Sequence, residues 1–256
     1  MRILMIGDVI GQPGRRAIGR MVPALRQEYG LDLVVANGEN AAGGFGITLE
    51  TAHELLESGV DVLTSGNHIW DQKEIIPYLD EGLPLLRPAN YPDAPGRGYL
   101  VLGDVVVLNL MGRVFMAPLD CPFRTADRLL REVKANGTPR VILVDFHAEA
   151  TSEKQAMGWY LDGVVSAVFG THTHVGTVDA RILPKGTGYV TDVGMTGPVN
   201  SVIGSDTGAV LERFLTAMPQ RLPVAEGPVM LNSVLVDVDP GTGKALTISR
   251  VDRMVG

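Results

Sequence analysis

Residues 2–14 read RILMIGDVIGQPG, an apolar run followed by Gly7, Asp8 and then Pro13. The apolar run is too short for a signal-peptide core or a membrane span, so it predicts a buried strand and no membrane association. Pro13 suits the first turn of a helix. The stretch therefore predicts a strand, a polar turn that carries Asp8, and a helix.

The same alternation continues along the chain. Thr48 can cap a second helix, and Thr151 or Ser152 can cap a later one. The clearest apolar runs predict strands at residues 2–6, 31–36, 60–64, 105–110, 141–146 and 164–169. Strands that alternate with helices are typical of the α/β class.

The chain after about residue 175 is richer in β-type segments, at residues 177–183, 188–192 and 229–238. These segments predict a second, partly antiparallel β-layer. Residues 194–208 are glycine-rich and predict a loop over one sheet edge. We expect residues 1–256 to form a single domain with two packed sheets and helices outside.

Composition narrows the possible functions. The 256 residues carry a net charge of −7, which argues against stable binding to duplex nucleic acid. The single cysteine, Cys121, excludes an internal disulfide and a thiolate-rich metal cluster. Cysteine usage of this kind favours a reducing compartment, and we expect a cytoplasmic protein. A compact enzyme of this size is often a homo-oligomer, so a dimer or tetramer is compatible with the sequence.

Polar side chains follow five of the predicted strands. In an open α/β sheet, ligands bind beyond the carboxyl ends of the strands, so these side chains are expected to share one edge. Four of the five histidines belong to the set, and His53 lies elsewhere. The positions that matter are Asp8, Asn37-Gly38-Glu39-Asn40, Gly66-Asn67-His68, His147 and Thr171-His172-Thr173-His174.

The residue types in this set predict a metal site. Imidazole and oxygen ligands without sulfur suit manganese, iron, zinc or cobalt. Seven candidate ligands exceed what one ion needs, so two ions about 3.5–4 Å apart are expected. Glu39 is the best-placed bridging carboxylate. Two divalent ions, two carboxylates and one hydroxide leave about one positive charge, which would attract a phosphate.

As an ordered set, five strings closely resemble the YmdB-like branch of the calcineurin-type metallophosphoesterases. The resemblance covers nearly the whole chain, and each string alone would be weak. The strings are GDVIG at 7–11, NGENAAGG at 37–44, GNH at 66–68, HAEA at 147–150 and GTHTH at 170–174.

The resemblance implies a four-layer α/β/β/α sandwich with a binuclear centre. It implies two divalent transition-metal ions, with iron or manganese favoured and zinc also compatible. One ion would be held by Asp8, Glu39, Asn40 and His174, and the other by Glu39, Asn67, His147 and His172. The implied activity is hydrolysis of cyclic nucleotides, preferably 2',3'-cyclic ones, and of small phosphodiesters. A hydroxide between the ions would attack phosphorus, Asn67 would stabilise charge near the ester, and His68 would act as general acid.

The sequence departs from the broader superfamily at three positions. Ile10 stands where the first motif usually has a histidine, and Asn40 is its expected replacement. Glu39 replaces the usual bridging aspartate, and Thr171 stands where many relatives have glycine. These departures fit the YmdB-like branch and leave the identity of the metal open.

Other interpretations of the sequence are weaker. The glycine spacing at residues 7–14 does not fit dinucleotide binding, and Cys121 lies in a loop-like stretch that does not suggest a nucleophile. A serious alternative is a regulatory protein that binds metal and nucleotide with little turnover. Arg113 could contact a substrate phosphate or form a structural salt bridge, and Glu149 could orient His147 or begin a helix.

Overall fold

The chain folds as a mixed α/β protein in a computed structural model that describes residues 1–137 and 139–255. No helix in that part of the chain is both long and apolar enough to cross a membrane. A 3-10 helix spans Lys73–Asp80. The α-helices there are α1 (Gly11–Tyr29), α2 (Leu49–Glu57), α3 (Pro122–Ala135), α4 (Thr151–Tyr160) and α5 (Thr207–Thr216).

The strands are short and fall into three sheets. In chain order they are β1 (Arg2–Ile6), β2 (Asp8–Val9), β3 (Leu33–Asn37), β4 (Val62–Thr64), β5 (Tyr99–Leu102), β6 (Val105–Met111), β7 (Val141–His147), β8 (Ala167–Thr171), β9 (Arg181–Ile182), β10 (Gly188–Val190), β11 (Met195–Pro198), β12 (Val229–Leu231), β13 (Ser233–Val238), β14 (Ala245–Arg250) and β15 (Arg253–Val255). The six strands predicted from the clearest apolar runs are all present, with no end shifted by more than three residues.

Two large sheets pack face to face. The first has the strand order β14-β13-β1-β3-β4, and the second has the order β5-β6-β7-β8-β10-β9. Successive side chains of β1 point alternately into two hydrophobic cores. Ile3 and Met5 face the second sheet, whereas Leu4 and Ile6 face helices α1 and α2. The outer face of the second sheet packs against α3 and α4. This is the expected α/β/β/α sandwich. We propose that it forms one domain, because side chains of both sheets share the central core.

The C-terminal strands differ from the prediction. The segments 177–183 and 188–192 contribute β9 and β10 to the second sheet, and the segment 229–238 is divided between two other sheets. They do not build a layer of their own. Asn232 separates β12 from β13, and β13 pairs antiparallel with β1 in the first sheet. The second β-layer is instead built mainly from β5 to β8.

A third sheet, with the order β15-β12-β11-β2, was not predicted. Its strand β11 lies inside the glycine-rich stretch 194–208, which is therefore not simply a loop. β2 pairs parallel with β11, so that Asp8 lies opposite Met195. The chain changes sheets at Gly7, where an added Cβ would lie 1.9 Å from the carbonyl oxygen of Gly194. Glycine at this position permits the close approach that fixes Asp8.

The helix starts confirm one predicted cap and contradict another. Thr48 accepts a hydrogen bond from the backbone N–H of Thr51 and forms a capping box with it. Neither Thr151 nor Ser152 caps α4, because Ala150 occupies the capping position and supplies no side-chain hydrogen bond.

Candidate metal centre

Five strand ends bring the predicted ligands to one edge of the sandwich. Asp8 begins β2, His147 ends β7, and the other ligands follow β3, β4 and β8. The parallel register aligns Met111, His147 and Thr171 across neighbouring strands, so these strands end at the same level. All seven predicted ligand side chains lie in one connected cluster: Asp8, Glu39, Asn40, Asn67, His147, His172 and His174.

One group of ligand atoms surrounds His147 Nε2. Glu39 Oε1 lies 3.0 Å from it, and Asn67 Oδ1 lies 3.2 Å away. His172 Nδ1 lies 3.0 Å away. A ring nitrogen carries at most one hydrogen, so it cannot satisfy three neighbours at once. Ligand atoms that share an ion at about 2.0–2.2 Å are about 3–3.5 Å apart, so this group fits one divalent metal.

A second group lies on the other side of Glu39. Asn40 Nδ2 is 3.3 Å from Glu39 Oε1 and 3.1 Å from His174 Nε2. Asp8 Oδ1 is 3.8 Å from His174 Nε2. This oxygen is buried and has no hydrogen-bond partner among the residues described. A buried carboxylate oxygen without a donor is costly and fits a cation ligand. Rotating the Asn40 amide by half a turn would present its oxygen to the same point.

The three histidines are oriented as metal ligands usually are. In each ring, the nitrogen that points away from the cluster has its own acceptor. His147 Nδ1–H donates to Thr171 Oγ1 at 2.9 Å, and His174 Nδ1–H donates to the carbonyl oxygen of Ile203 at 2.9 Å. His172 Nε2 lies 3.0 Å from a carboxylate oxygen of Glu149. Such outer hydrogen bonds fix the tautomer and leave the inner lone pair for a metal.

A buried carboxylate behind the cluster, Asp145, was missed in the sequence. Thr171 Oγ1–H donates to Asp145 Oδ1 at 2.7 Å, and Asn37 Nδ2 donates to Asp145 Oδ2 at 3.2 Å. Thr64 also donates to Oδ2 through a short hydrogen bond. Asp145 thus aligns Thr171, which in turn orients His147. The available signal was an aspartate inside the otherwise apolar run 141–146.

The ionisation of the cluster reflects burial and the proximity of charges. Burial raises the pKa of Asp8 to about 6 against the pull of His174 and His147. Burial also acts to raise the pKa of Glu39, but its charge interaction and hydrogen bond with His147 lower that pKa to about 2. Burial acts to lower the pKa of His147, but its charge interaction and hydrogen bond with Glu39, together with the charges of Asp8 and Asp145, raise that pKa to about 9. Burial and the positive charge of His147 lower the His172 pKa to about 3.

The loop after β8 holds two histidines in unusual backbone conformations. His172 has φ = 99° and His174 has φ = 65°, both in the left-handed region. Such conformations cost about 1–3 kcal/mol each and persist only where the surrounding structure enforces them. Thr173, between them, donates to Asp192 Oδ2 through its hydroxyl at 2.7 Å and its N–H at 3.2 Å. Lys154 Nζ, also buried, lies 2.6 Å from the same oxygen. The Lys154–Asp192 pair therefore anchors the histidine loop.

Comparison with known proteins identifies the family. A family model described as YmdB-like protein matches residues 4–251. The chain belongs to the YmdB-like family. This confirms the resemblance inferred from the five sequence strings.

Relatives of this YmdB-like chain match it over nearly their whole length. It is 51% identical to a Bacillus subtilis (strain 168) protein named 2',3'-cyclic-nucleotide 2'-phosphodiesterase, over 98% of this chain and 96% of that protein. A crystal structure of a hypothetical protein from Thermus thermophilus superimposes with a TM-score of 0.92, at 47% identity and 99% coverage of each chain. A phosphatase structure from Mycoplasma pneumoniae superimposes with a TM-score of 0.93 at 34% identity, covering 99% of this chain and 93% of that one.

Gly66, in the YmdB-like string at 66–68, packs directly against two ligands. A Cβ added there would lie 2.1 Å from His147 Cδ2 and 2.4 Å from Glu39 Oε2. These contacts are far shorter than van der Waals distance, so a methyl group must displace both side chains.

We therefore expect Gly66→Ala to weaken metal binding by at least about 10-fold, comparable to the loss of an outer-shell partner. Isothermal titration of the metal-stripped protein with Mn²⁺ measures this. Gly19→Ala is a matched control, because its Cβ would face an exposed side of α1 and meet only Ser58 Oγ at 3.3 Å. Equal metal affinity in the two variants would show that the cluster tolerates displacement.

His68 stands beside the cluster and lines a cavity of about 780 Å³ that opens over it. Its backbone N–H donates to Glu39 Oε2 at 3.3 Å, which ties its position to the predicted bridging residue. Its Nδ1 lies 2.8 Å from Asp71 Oδ2, and its ring packs edge-on against Phe45 at 5.1 Å between centroids. An aspartate that accepts from Nδ1 leaves Nε2 available to exchange a proton.

Two further sequence interpretations have different outcomes. Glu149 does not begin a helix, because α4 starts at Thr151 after Ala150, and the histidine it contacts is His172 rather than His147. Arg113 is exposed and is not among the described residues that line the cavity over the cluster. Its backbone N–H donates to Glu153, and its role as a substrate contact stays a prediction.

Proposed function

We propose that this protein is a binuclear metal-dependent phosphodiesterase that hydrolyses cyclic nucleotides and small phosphodiesters. The observation that carries the proposal is the convergence of seven oxygen and nitrogen ligands whose three imidazoles are all oriented inward. The relative named 2',3'-cyclic-nucleotide 2'-phosphodiesterase supports the substrate class, and we propose the same 2',3' preference here.

The two groups of atoms support an assignment of ligands. Glu39 Oε1 contacts both groups and would bridge the two ions. Asp8, Asn40 and His174 complete one set, and Asn67, His147 and His172 complete the other. The donor set contains no sulfur, which suits iron or manganese and is also compatible with zinc.

The chemistry divides between the metals and the protein. When bound, two divalent ions lower the pKa of a shared water and polarise phosphoryl oxygens. The protein fixes the ligand geometry through Asp145, Asp192 and Glu149. Asn67 lies at the edge of the cluster, where its amide would stabilise charge near the ester. His68 Nε2 would deliver a proton to the leaving oxygen while Asp71 holds the ring.

His68→Ala should lower kcat by about 10²–10⁴-fold on a substrate with a poor leaving group, such as 2',3'-cyclic AMP. The loss should be much smaller for bis-p-nitrophenyl phosphate, because p-nitrophenolate leaves without needing a proton. Steady-state rates on both substrates test this. His53→Ala on α2 is a matched control. A uniform loss on both substrates would assign His68 a structural role.

Removal of metal should abolish hydrolysis, and a suitable ion should restore it. We would reconstitute stripped protein separately with Mn²⁺, Fe²⁺, Zn²⁺ and Mg²⁺, and measure 2',3'-cyclic AMP hydrolysis together with ion content. Activity that returns with about two transition-metal ions per chain supports the proposal. Two bound ions without turnover would favour a regulatory protein that binds metal and nucleotide.

A further inference from the structure

The cavity over the metal cluster has two kinds of wall. One part of its wall is polar and carries Glu39, Asn40 and three histidines; another part, the apolar wall, includes Phe45, Val210 and Phe214. Phe214 is 79% exposed although it faces this cavity from α5. A phosphate alone would leave most of the 780 Å³ unfilled. The apolar wall suits the nucleoside attached to that phosphate, since bases stack on aromatic rings.

A second cavity of about 720 Å³ adjoins the first and is not used by the proposed reaction. Its distinct lining includes three amides, from Gln12, Gln72 and Gln220, and the guanidinium-bearing Arg221. Amide side chains can donate to and accept from base edges. The two cavities share four lining residues, Phe45, Arg213, Leu222 and Val224. The two cavities therefore adjoin along these side chains, and a ligand that occupied both would pass them.

Two arginine side chains line the cavities. Arg213 lines both cavities and Arg221 lines the second. Both are exposed, and neither has an ion-pair partner among the residues described. The carboxylate in the lining of this cavity is Glu226. In a chain of net charge −7, two guanidinium groups in the lining of the same cavity provide a local site for an anion.

We propose that the second cavity binds the nucleotide that precedes the reacting one, so that the enzyme acts on the 2',3'-cyclic phosphate end of short oligoribonucleotides. This rests on the proposed function. The cyclic phosphate lies at the metal cluster and its nucleoside lies against Phe45. The 5'-linked phosphate meets Arg213 and Arg221, and the preceding nucleoside enters the cavity lined by the three glutamines.

The reaction is the same hydrolysis at the end of a longer chain. Oxygen from water forms a new bond to phosphorus, the bond from phosphorus to the ribose 2' oxygen breaks, and that oxygen takes up a proton. The product carries a 3'-phosphate and a free 2'-hydroxyl. The linking phosphodiester next to Arg213 stays intact, so no further reactant is required.

The test compares 2',3'-cyclic AMP with the adenosine dinucleotide that ends in a 2',3'-cyclic phosphate. One additional phosphate contact of about 1.4 kcal/mol corresponds to a tenfold gain, so we expect kcat/KM at least about 10-fold higher for the dinucleotide. Arg221→Ala should lower the ratio of the two kcat/KM values several-fold, toward one, since Arg213 remains. Arg128→Ala is a matched control, since Arg128 is exposed on α3 and pairs with Glu132. It should leave the ratio unchanged.

A binding measurement separates this inference from the proposed function. Calorimetry with the 3'-phosphorylated dinucleotide and with adenosine 3'-phosphate needs no turnover. Tighter binding of the dinucleotide, lost in Arg221→Ala, supports the second subsite even if neither substrate is hydrolysed. Equal efficiency and equal affinity for both lengths, in the wild type and in Arg221→Ala, would overturn the inference while leaving the phosphodiesterase intact.

Discussion

Glu39→Gln should abolish the binding of both proposed metal ions and lower turnover of 2',3'-cyclic AMP by more than about 10⁴-fold. This loss exceeds the one that usually follows removal of a general acid. The substitution keeps the shape of the side chain but removes the charge that both sets of ligands share. Oε1 lies 3.0 Å from His147 Nε2 and 3.3 Å from Asn40 Nδ2, so this oxygen spans the two groups. Metal content after dialysis and steady-state kinetics measure the two effects.

The matched control is Glu50→Gln, which removes the same charge from an exposed position on α2. It should retain full metal content and activity. If Glu39→Gln instead kept two ions per chain with unchanged affinity, Glu39 would not be the bridging ligand. Loss of one ion only would assign Glu39 to a single metal.

Lys154→Met should destabilise the metal-free protein by about 3 kcal/mol and lower its midpoint of thermal unfolding by about 6–12 °C. The change leaves Asp192 as a buried carboxylate without its cation. The hydrogen bonds from Thr173 and Gly194 remain, so the cost should lie at the lower end of the range for a broken buried pair. Urea unfolding in the presence of chelator measures the free energy.

The same variant should bind Mn²⁺ about 10–100-fold more weakly, because Asp192 positions Thr173 between two histidine ligands. The double variant Lys154→Met/Asp192→Asn removes both charges while keeping a hydrogen-bond acceptor for Thr173. It should recover most of the stability and affinity. Normal metal affinity in a destabilised Lys154→Met protein would show that the pair supports the fold without positioning the ligands.

Much of the centre was predictable because parallel strands end at one edge. Asp8, Asn67 and His147 each stand immediately beyond or at the end of a recognisable apolar run, and helix signals separate the runs. The topology of an α/β sheet then brings such positions together. This reasoning needs only local sequence, and it brought the candidate ligands to one edge, whereas their division between two ions came from the resemblance to the YmdB-like branch.

The residues that hold the predicted ligands in place were not predictable by the same reasoning. Asp145 lies within a strand, and its partners Asn37 and Thr64 come from the other large sheet. Lys154 and Asp192 are separated by 38 residues and meet only when α4 packs against β8. Pairs of this kind depend on tertiary packing, which leaves no periodic signal in the sequence.

The small third sheet was missed for a similar reason. Its strand β2 has only two residues, too few to show an alternating pattern, and β11 contains glycine and proline, which are uncommon in strands. The contribution of α5 to the apolar wall of the cavity was also not predicted from the sequence. Only Val210 of that helix is buried, so the helix has no broad core-facing side to mark it.

The wide spacing of the ligands along the chain constrains the order of events during synthesis. The N–H of His172 donates to Asp8 across 164 residues, and Asn40 meets His174 across 134. Contacts of such long range form late, and a chain emerges from the ribosome at about 5–20 residues per second. The first two-thirds of the nascent polypeptide lacks His172 and His174 and therefore cannot complete either proposed ion site. Metal binding at the complete proposed centre would therefore be a late event that marks the last stage of folding.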